Sequence, residues 1–483
     1  MARFPLPAIP SRLIELELAE APRRGVPVAE VVRSGDGPRE IGGVRHMGRT
    51  GEVLEVGGDG PRWLVGVGDG TVRDWVSAGA ALVRAAGEDD RVRTVQVDLA
   101  GETAGESVAA LATGALLGGY RFKVSSDAGK PGVRALRLLT PSEHEPEYSR
   151  RLARVRVLAE AATVARDLAN TPSNIKNPEW LAATAERLVS DVPGVKATIR
   201  DERWLAEQGF GGVLAVGGGS ASPPRLIELS YRPRAASRHL LLVGKGITFD
   251  TGGLSIKPAE GMHLMRTDMA GGAAVIAATR AIAALRLNVR VTALVPAAEN
   301  HVSGGSYRPG DVVRHYGGKT TEVSNTDAEG RMVLADALVY GSRRFRPDAV
   351  VDVATLTGAM KVALGLRIGG FFAGDDDLAS RILAAGTRAG EAWWRMPLLE
   401  EHAGAVRGEI GDVRQSPGGP GGITAALFLR EFVEGATPWA HLDIAGPARA
   451  EKPYADVTPG GTGFAARTLV ELAASYAEQD QVK

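Results

Sequence analysis

Residues 239–243, 289–295 and 349–353 form three largely apolar runs, with helical patterns at 270–285 and 332–343 between them. A strand with one face in water alternates apolar and polar side chains. Runs that skip the alternation belong in the middle of a sheet covered on both faces. Buried strands separated by helices define an α/β fold with a mixed, mostly parallel central sheet. In such sheets, sites collect in the loops at the carboxyl ends of strands, and the richest glycine loop of this chain follows the run ending at Val243.

At 483 residues the chain is too long for one ordinary core. Strand-like segments at 13–18, 63–67, 92–99 and 133–139 and helical ones at 72–86 and 107–117 make the first part a smaller α/β domain. It carries no catalytic cluster, and its isolated His46 and His144 read as surface residues. Leu152, Val155, Leu158, Ala159, Ala162 and Leu168 then recur at near-helical spacing until Asn170-Thr171-Pro172 ends the pattern. The expected division is an N-terminal domain over 1–150, with an oligomeric or regulatory role, and a catalytic domain over 151–483 that begins with a connector helix to about 170.

Composition excludes several functions. Lys+Arg and Asp+Glu both total 57, so zero net charge gives no broad footprint for nucleic acid or anionic membrane. The absence of cysteine removes disulfides, thiolate nucleophiles and Cys-ligated metals. The N-terminus does not read as a signal peptide, and no run approaches the ~20 apolar residues of a membrane span. The cytoplasm is the default location.

The chemistry gathers in acidic residues. Residues 325–331 read Asn-Thr-Asp-Ala-Glu-Gly-Arg between a β-branched approach at 320–323 and the helix that follows. Helix capping is the plain reading of Asp327 and Glu329, as it is of Asp268 before the 270–285 helix. Carboxylates this close also repel unless a cation neutralises them. Asp250, Asp268, Asp327 and Glu329 all fall near element ends of the one expected sheet; converging, they would balance about two divalent cations. Oxygen-rich ligation suits Mn²⁺, Zn²⁺ or Mg²⁺. No histidine has a partner at ligand spacing, HExxH is absent, and the glycine loop lacks the Gly-Lys-Ser/Thr ending of a phosphate loop. Only 10 of the 57 basic residues are lysine, yet Lys245 and Lys257 both fall in that glycine loop. Lysine, unlike arginine, can give up its proton.

With these residues in place, the chain resembles the cytosol aminopeptidase family, hexameric two-metal exopeptidases that include the leucyl aminopeptidases. NTDAEGR at 325–331 is accompanied by VGKGITFDTGG at 243–253, SIKP at 255–258, MRTDMAGG at 265–272, ATLTGA at 354–359 and WAHLDIAG at 439–446. By this resemblance Lys245, Asp250, Asp268, Asp327 and Glu329 are metal ligands, and Lys257 and Arg331 are catalytic, with bicarbonate at Arg331 as general base. Met265, Thr355 and Gly358 match segments lining the pocket for the N-terminal side chain, whose small and apolar walls suit leucine-like residues. The implied partners are peptides with a free N-terminus, within a homohexamer. Thr251, Met332 and Lys176-Asn177-Pro178 depart from the usual pattern without touching a ligand. Some bacterial relatives also bind DNA as accessory or regulatory proteins, an alternative that zero net charge argues against. A catalytically dead paralogue is disfavoured because every metal and catalytic position is filled.

Overall fold

The computed structural model describes residues 7–41, 44–56, 62–99, 101–102, 104–125 and 132–479. The chain divides into two compact units. One is Met1–Thr163 with Ala450–Pro459; the other is Val164–Arg449 with Gly460–Lys483. The division falls within the helix Glu145–Asn170.

The first unit holds a six-stranded sheet in the order Glu15–Ala19, Ala135–Leu139, Thr94–Asp98, Val28–Val32, Trp63–Gly66 and Val53–Glu55. All neighbours are parallel except the last pair. Helices Val72–Ala86 and Gly105–Gly118 pack against each other. Thr71 starts the former with a capping box, accepting the Asp74 N–H while the Asp74 carboxylate accepts the Thr71 N–H. His46 departs from expectation, being fully buried. Its Nδ1 accepts the Gly48 N–H and its Nε2 meets the Glu52 carbonyl at 3.2 Å. A local turn thus satisfies both ring nitrogens, which removes the penalty for burying them. His144 is partly exposed and stacks on Tyr148.

The second unit is built on a nine-stranded sheet. Arg290–Asn300, His239–Gly244, Ala349–Ala354 and Trp439–Asp443 run parallel through its middle. Antiparallel Arg225–Tyr231 and Val195–Arg200 extend one side. Ile368–Ala373 joins the other antiparallel and carries Ala392–Met396. The apolar runs are covered on both faces. Leu241 and Val243 join a core cluster with Met332, Val333 and Leu334, while Leu240 and Leu242, on the opposite face by strand alternation, are equally buried.

The approach to the 325–331 segment does not lie in this sheet. Thr320–Glu322 pairs antiparallel with Val312–Arg314 and parallel with Val413–Arg414 in a separate three-stranded sheet. The expected single sheet is corrected there, because these short strands satisfy their backbone among themselves. The following helix runs Glu329–Phe345, starting three residues before the apolar periodicity, with Glu329 in its first turn. Among the described residues no helix is long and apolar enough to cross a membrane.

Candidate metal centre

The carboxyl ends of the central strands converge on one cluster. Lys245 follows His239–Gly244, and Asp250 ends the strand Gly246–Asp250. Thr355 follows Ala349–Ala354, and Asp268 follows the short 3₁₀ turn Met262–Thr267. Asp327 and Glu329 arrive from the three-stranded sheet, with Glu329 at a helix N-terminus where the dipole favours negative charge.

Two glycines permit the approach. Gly252 has φ +87°, and a Cβ there would lie 2.5 Å from the Ser255 carbonyl oxygen and 3.0 Å from Asp327 Oδ1. At Gly330 a Cβ would sit 2.5 Å from Lys245 Cε, so a larger residue would have to displace the lysine side chain that reaches Glu329.

Lys245 Nζ lies 2.8 Å from Asp268 Oδ2 and 2.7 Å from Glu329 Oε1, and donates to the Thr355 carbonyl at 3.0 Å. Lys257 Nζ lies 2.8 Å from Asp250 Oδ2 and pairs with Asp327 Oδ1. Asp250, Asp327 and Glu329 each offer an oxygen within 4.8 Å of the others. The floor at Lys245, Asp268 and Glu329 is closed. At the mouth, Asp327 retains 33% of its side-chain exposure and Lys257 19%.

Burial raises the Asp250 carboxyl, reinforced by neighbouring Glu329, to about 7. Burial raises Glu329 to about 6, and lifts Asp268, against the pull of Lys245. Desolvation alone would depress Lys245, but Asp268, Glu329 and Asp250 reverse it and hold the ammonium well above its usual range. Lys257 is held up in the same way, chiefly by Asp250.

The donor set fits divalent cations. Four carboxylates outweigh two ammonium groups, and buried Asp268 Oδ2, Asp327 Oδ1 and Glu329 Oε1 each face only a lysine ammonium. Oxygen ligands with spare lone pairs, crowded together in low dielectric, are what a hard cation uses. Arg331 is buried beside them. Its Nη1 donates to the Gln415 carbonyl, its Nε has no partner, and burial brings its pKa down to about 10.

All seven expected ligand and catalytic positions therefore lie together. Thr355 is placed differently from a simple pocket wall, because its hydroxyl donates to Asp268 Oδ1 at 2.7 Å. Met265 is half-buried in the turn before Asp268, and Gly358 is exposed at the start of helix Gly358–Leu364.

Sequence reasoning missed the supports. Asn300 donates to Asp250 Oδ1 at 2.8 Å and to the Thr326 carbonyl at 3.0 Å, tying two ligand loops. Gln415 Oε1 accepts the Ser324 and Asn325 N–H groups. Asp443 accepts from Leu356 N, Thr357 N, Thr357 Oγ1 and Ala445 N, and so fixes the loop that brings Thr355 to Lys245. Asn300 and Asp443 at strand ends were the available signal.

Fold and cluster together define an α/β enzyme with a carboxylate-and-lysine centre built for divalent cations. The model of the cytosol aminopeptidase family, catalytic domain, matches residues 163–470. A probable cytosol aminopeptidase of Roseiflexus castenholzii is 47% identical over 391 residues, which span 79% of each chain. One from Cutibacterium acnes is 41% identical over 457 residues, 94% of this chain and 88% of that protein. Among solved structures, the bottromycin maturation enzyme BotP in complex with Mn matches with TM-score 0.84 and 42% identity, over 93% of this chain and 99% of that one. A mutant tomato leucine aminopeptidase matches with TM-score 0.86 and 31% identity, over 98% and 97%. The chain belongs to the cytosol aminopeptidase family and is a metal-dependent aminopeptidase.

Proposed function

We propose that the protein removes leucine-like N-terminal residues from peptides with a free α-amine, using two divalent cations, Mn²⁺ or Zn²⁺ with Mg²⁺ a third candidate. The observation that carries this reading is the convergence of Asp250, Asp268, Asp327, Glu329, Lys245 and Lys257 in one partly open cluster. The four carboxylates and Lys245 would hold the ions. When bound, the ions supply Lewis-acid activation of water and of the scissile carbonyl.

Lys245 would serve as a neutral amine ligand, giving up its proton as part of metal binding. Lys257 stays charged at the mouth and donates to the oxyanion that develops on the carbonyl oxygen. Arg331, with a buried Nε lacking a partner, suits a small anion such as bicarbonate acting as general base. Met265, Thr355 and Gly358 line the side-chain pocket. The first unit serves assembly or regulation of a cytoplasmic homohexamer. The nucleic-acid alternative gains no support from the relatives or the site.

The test is hydrolysis of aminoacyl p-nitroanilides by chelator-stripped protein, re-loaded separately with Mn²⁺, Zn²⁺ or Mg²⁺. Stripping should abolish turnover, re-loading should restore it, and leucine and methionine substrates should lead. Full activity in the stripped sample, or equal cleavage of an N-acetylated substrate, would refute the reading.

A further inference from the structure

Lys176 is wholly buried, and the mechanism does not use it. Its Nζ donates to the carbonyls of Leu168 at 2.8 Å, Ala169 at 3.0 Å and Arg266 at 2.5 Å, with Met269 Sδ at 3.4 Å. Three carbonyl acceptors match the three N–H groups of an ammonium. Leu168 and Ala169 belong to the last turn of the helix Glu145–Asn170. Carbonyls there have no partner within the helix, and the dipole places negative potential on them, so a cation is favoured. Burial, with Arg266 nearby, pulls the ammonium pKa well below its usual range, whereas hydrogen bonds to the charged form favour it.

The third acceptor links this helix end to the metal centre. Arg266 lies in the turn Met262–Thr267, two residues before Asp268. Residues 262–267 are otherwise held by short-range bonds, such as Asp268 N to the Met265 carbonyl and Thr267 Oγ1 to the Leu264 carbonyl, while Thr355 and Lys245 hold Asp268 itself. Lys176 provides the long-range tie on the peptide ahead of Asp268. The lysine is itself anchored, since its N–H donates to the Pro172 carbonyl and the next residue, Asn177, caps the helix Pro178–Val189. An apolar residue of the same length would fill the space and leave the Arg266 carbonyl without this partner.

We propose that Lys176 is a positioning residue for the metal centre, which clamps the peptide ahead of Asp268 to the end of the Glu145–Asn170 helix and so sets where the Asp268 carboxylate stands. The inference rests on the reading of Asp268 as a metal ligand. It concerns placement, and Lys176 touches neither substrate nor ion.

The experiment is calorimetric titration of the chelator-stripped full-length protein with Mn²⁺, comparing wild type, Lys176→Met and, as a control, Lys196→Met on an exposed strand position. Lys176→Met should bind one of two Mn²⁺ equivalents about tenfold more weakly, the low end of what outer-shell support typically contributes. Its kcat at saturating Mn²⁺ should stay near wild type, and Lys196→Met should titrate as wild type. A Lys176→Met protein that melts lower yet binds both equivalents normally overturns the proposal. Where it does not fold, Lys176→Gln is judged by the same titration, and failure of both to fold overturns the positioning role in favour of a purely structural one. Wild-type protein that binds no Mn²⁺ refutes the metal reading itself, a result distinguishable from loss of the Lys176 effect alone.

Discussion

The two units share an architecture and differ in what they bury. Each has a largely parallel sheet, yet among the described residues of the first unit Asp456, in its short second segment, is the one buried Asp, Glu, Lys or Arg. Its other buried polar residues are His46, Gln96, Ser107, Thr140, Thr163 and Thr458. The second unit buries Lys245, Asp250, Asp268, Glu329 and Arg331 at its centre, and Asp336, Asp352 and Asp443 close behind. Parallel strands offer a place for a site in both units. Only where buried charges compensate one another does the place become chemistry, because an unpaired charge in a protein interior costs several kcal/mol.

Four substitutions would break or sharpen this contrast. The largest effect is expected for Glu329→Gln, which removes a charged oxygen from the cluster floor. Loss of kcat/KM on leucine p-nitroanilide should exceed the about 10–100-fold that outer-shell partners typically contribute, and near wild-type activity would remove Glu329 from the ligand set. Lys257→Ala should lower kcat by about 10²–10³-fold, the usual worth of one oxyanion donor, while Mn²⁺ binding by calorimetry persists. Gln415→Ala strips the acceptor from the Ser324 and Asn325 N–H groups and should destabilise the protein by about 1–3 kcal/mol in urea unfolding. The smallest effect belongs to the first unit. Arg33→Ala breaks a partly exposed ion pair with Glu102 and should change stability by no more than about 1 kcal/mol, with kcat unaltered. A large kcat loss there would mean that the first unit does more than its buried inventory suggests.

The same contrast explains what the sequence revealed. The central strands of the second unit were legible because burial on both faces favours largely apolar runs, those at 239–243, 289–295 and 349–353 being broken only at His239, Arg290, Thr292 and Asp352. Val28–Val32 was missed although it sits inside the first sheet, since Glu30 interrupts a short run. Arg225–Tyr231 carries Glu228 and Ser230 and was missed for a similar reason. The helix start at Glu329 escaped apolar periodicity because its first turn is chosen by charge and glycine. In the site, clustered carboxylates announced themselves, being hard to place together without a cation. Asn300, Gln415, Asp443 and Lys176 did not, because each is a single polar residue whose role depends on a loop distant in sequence.

Gly358, exposed at the start of its helix, has a consequence of its own. Its backbone lies outside the left-handed region, and nothing stands within 4 Å of where a Cβ would project. The carboxylate cluster is interlocked by ion pairs and hydrogen bonds, whereas Gly358 can accept a side chain without strain. The architecture therefore separates what must stay fixed for hydrolysis from what can drift. On the proposed reading of Gly358 as a pocket residue, substrate preference could be retuned there one methyl group at a time, with the catalytic apparatus left as it is.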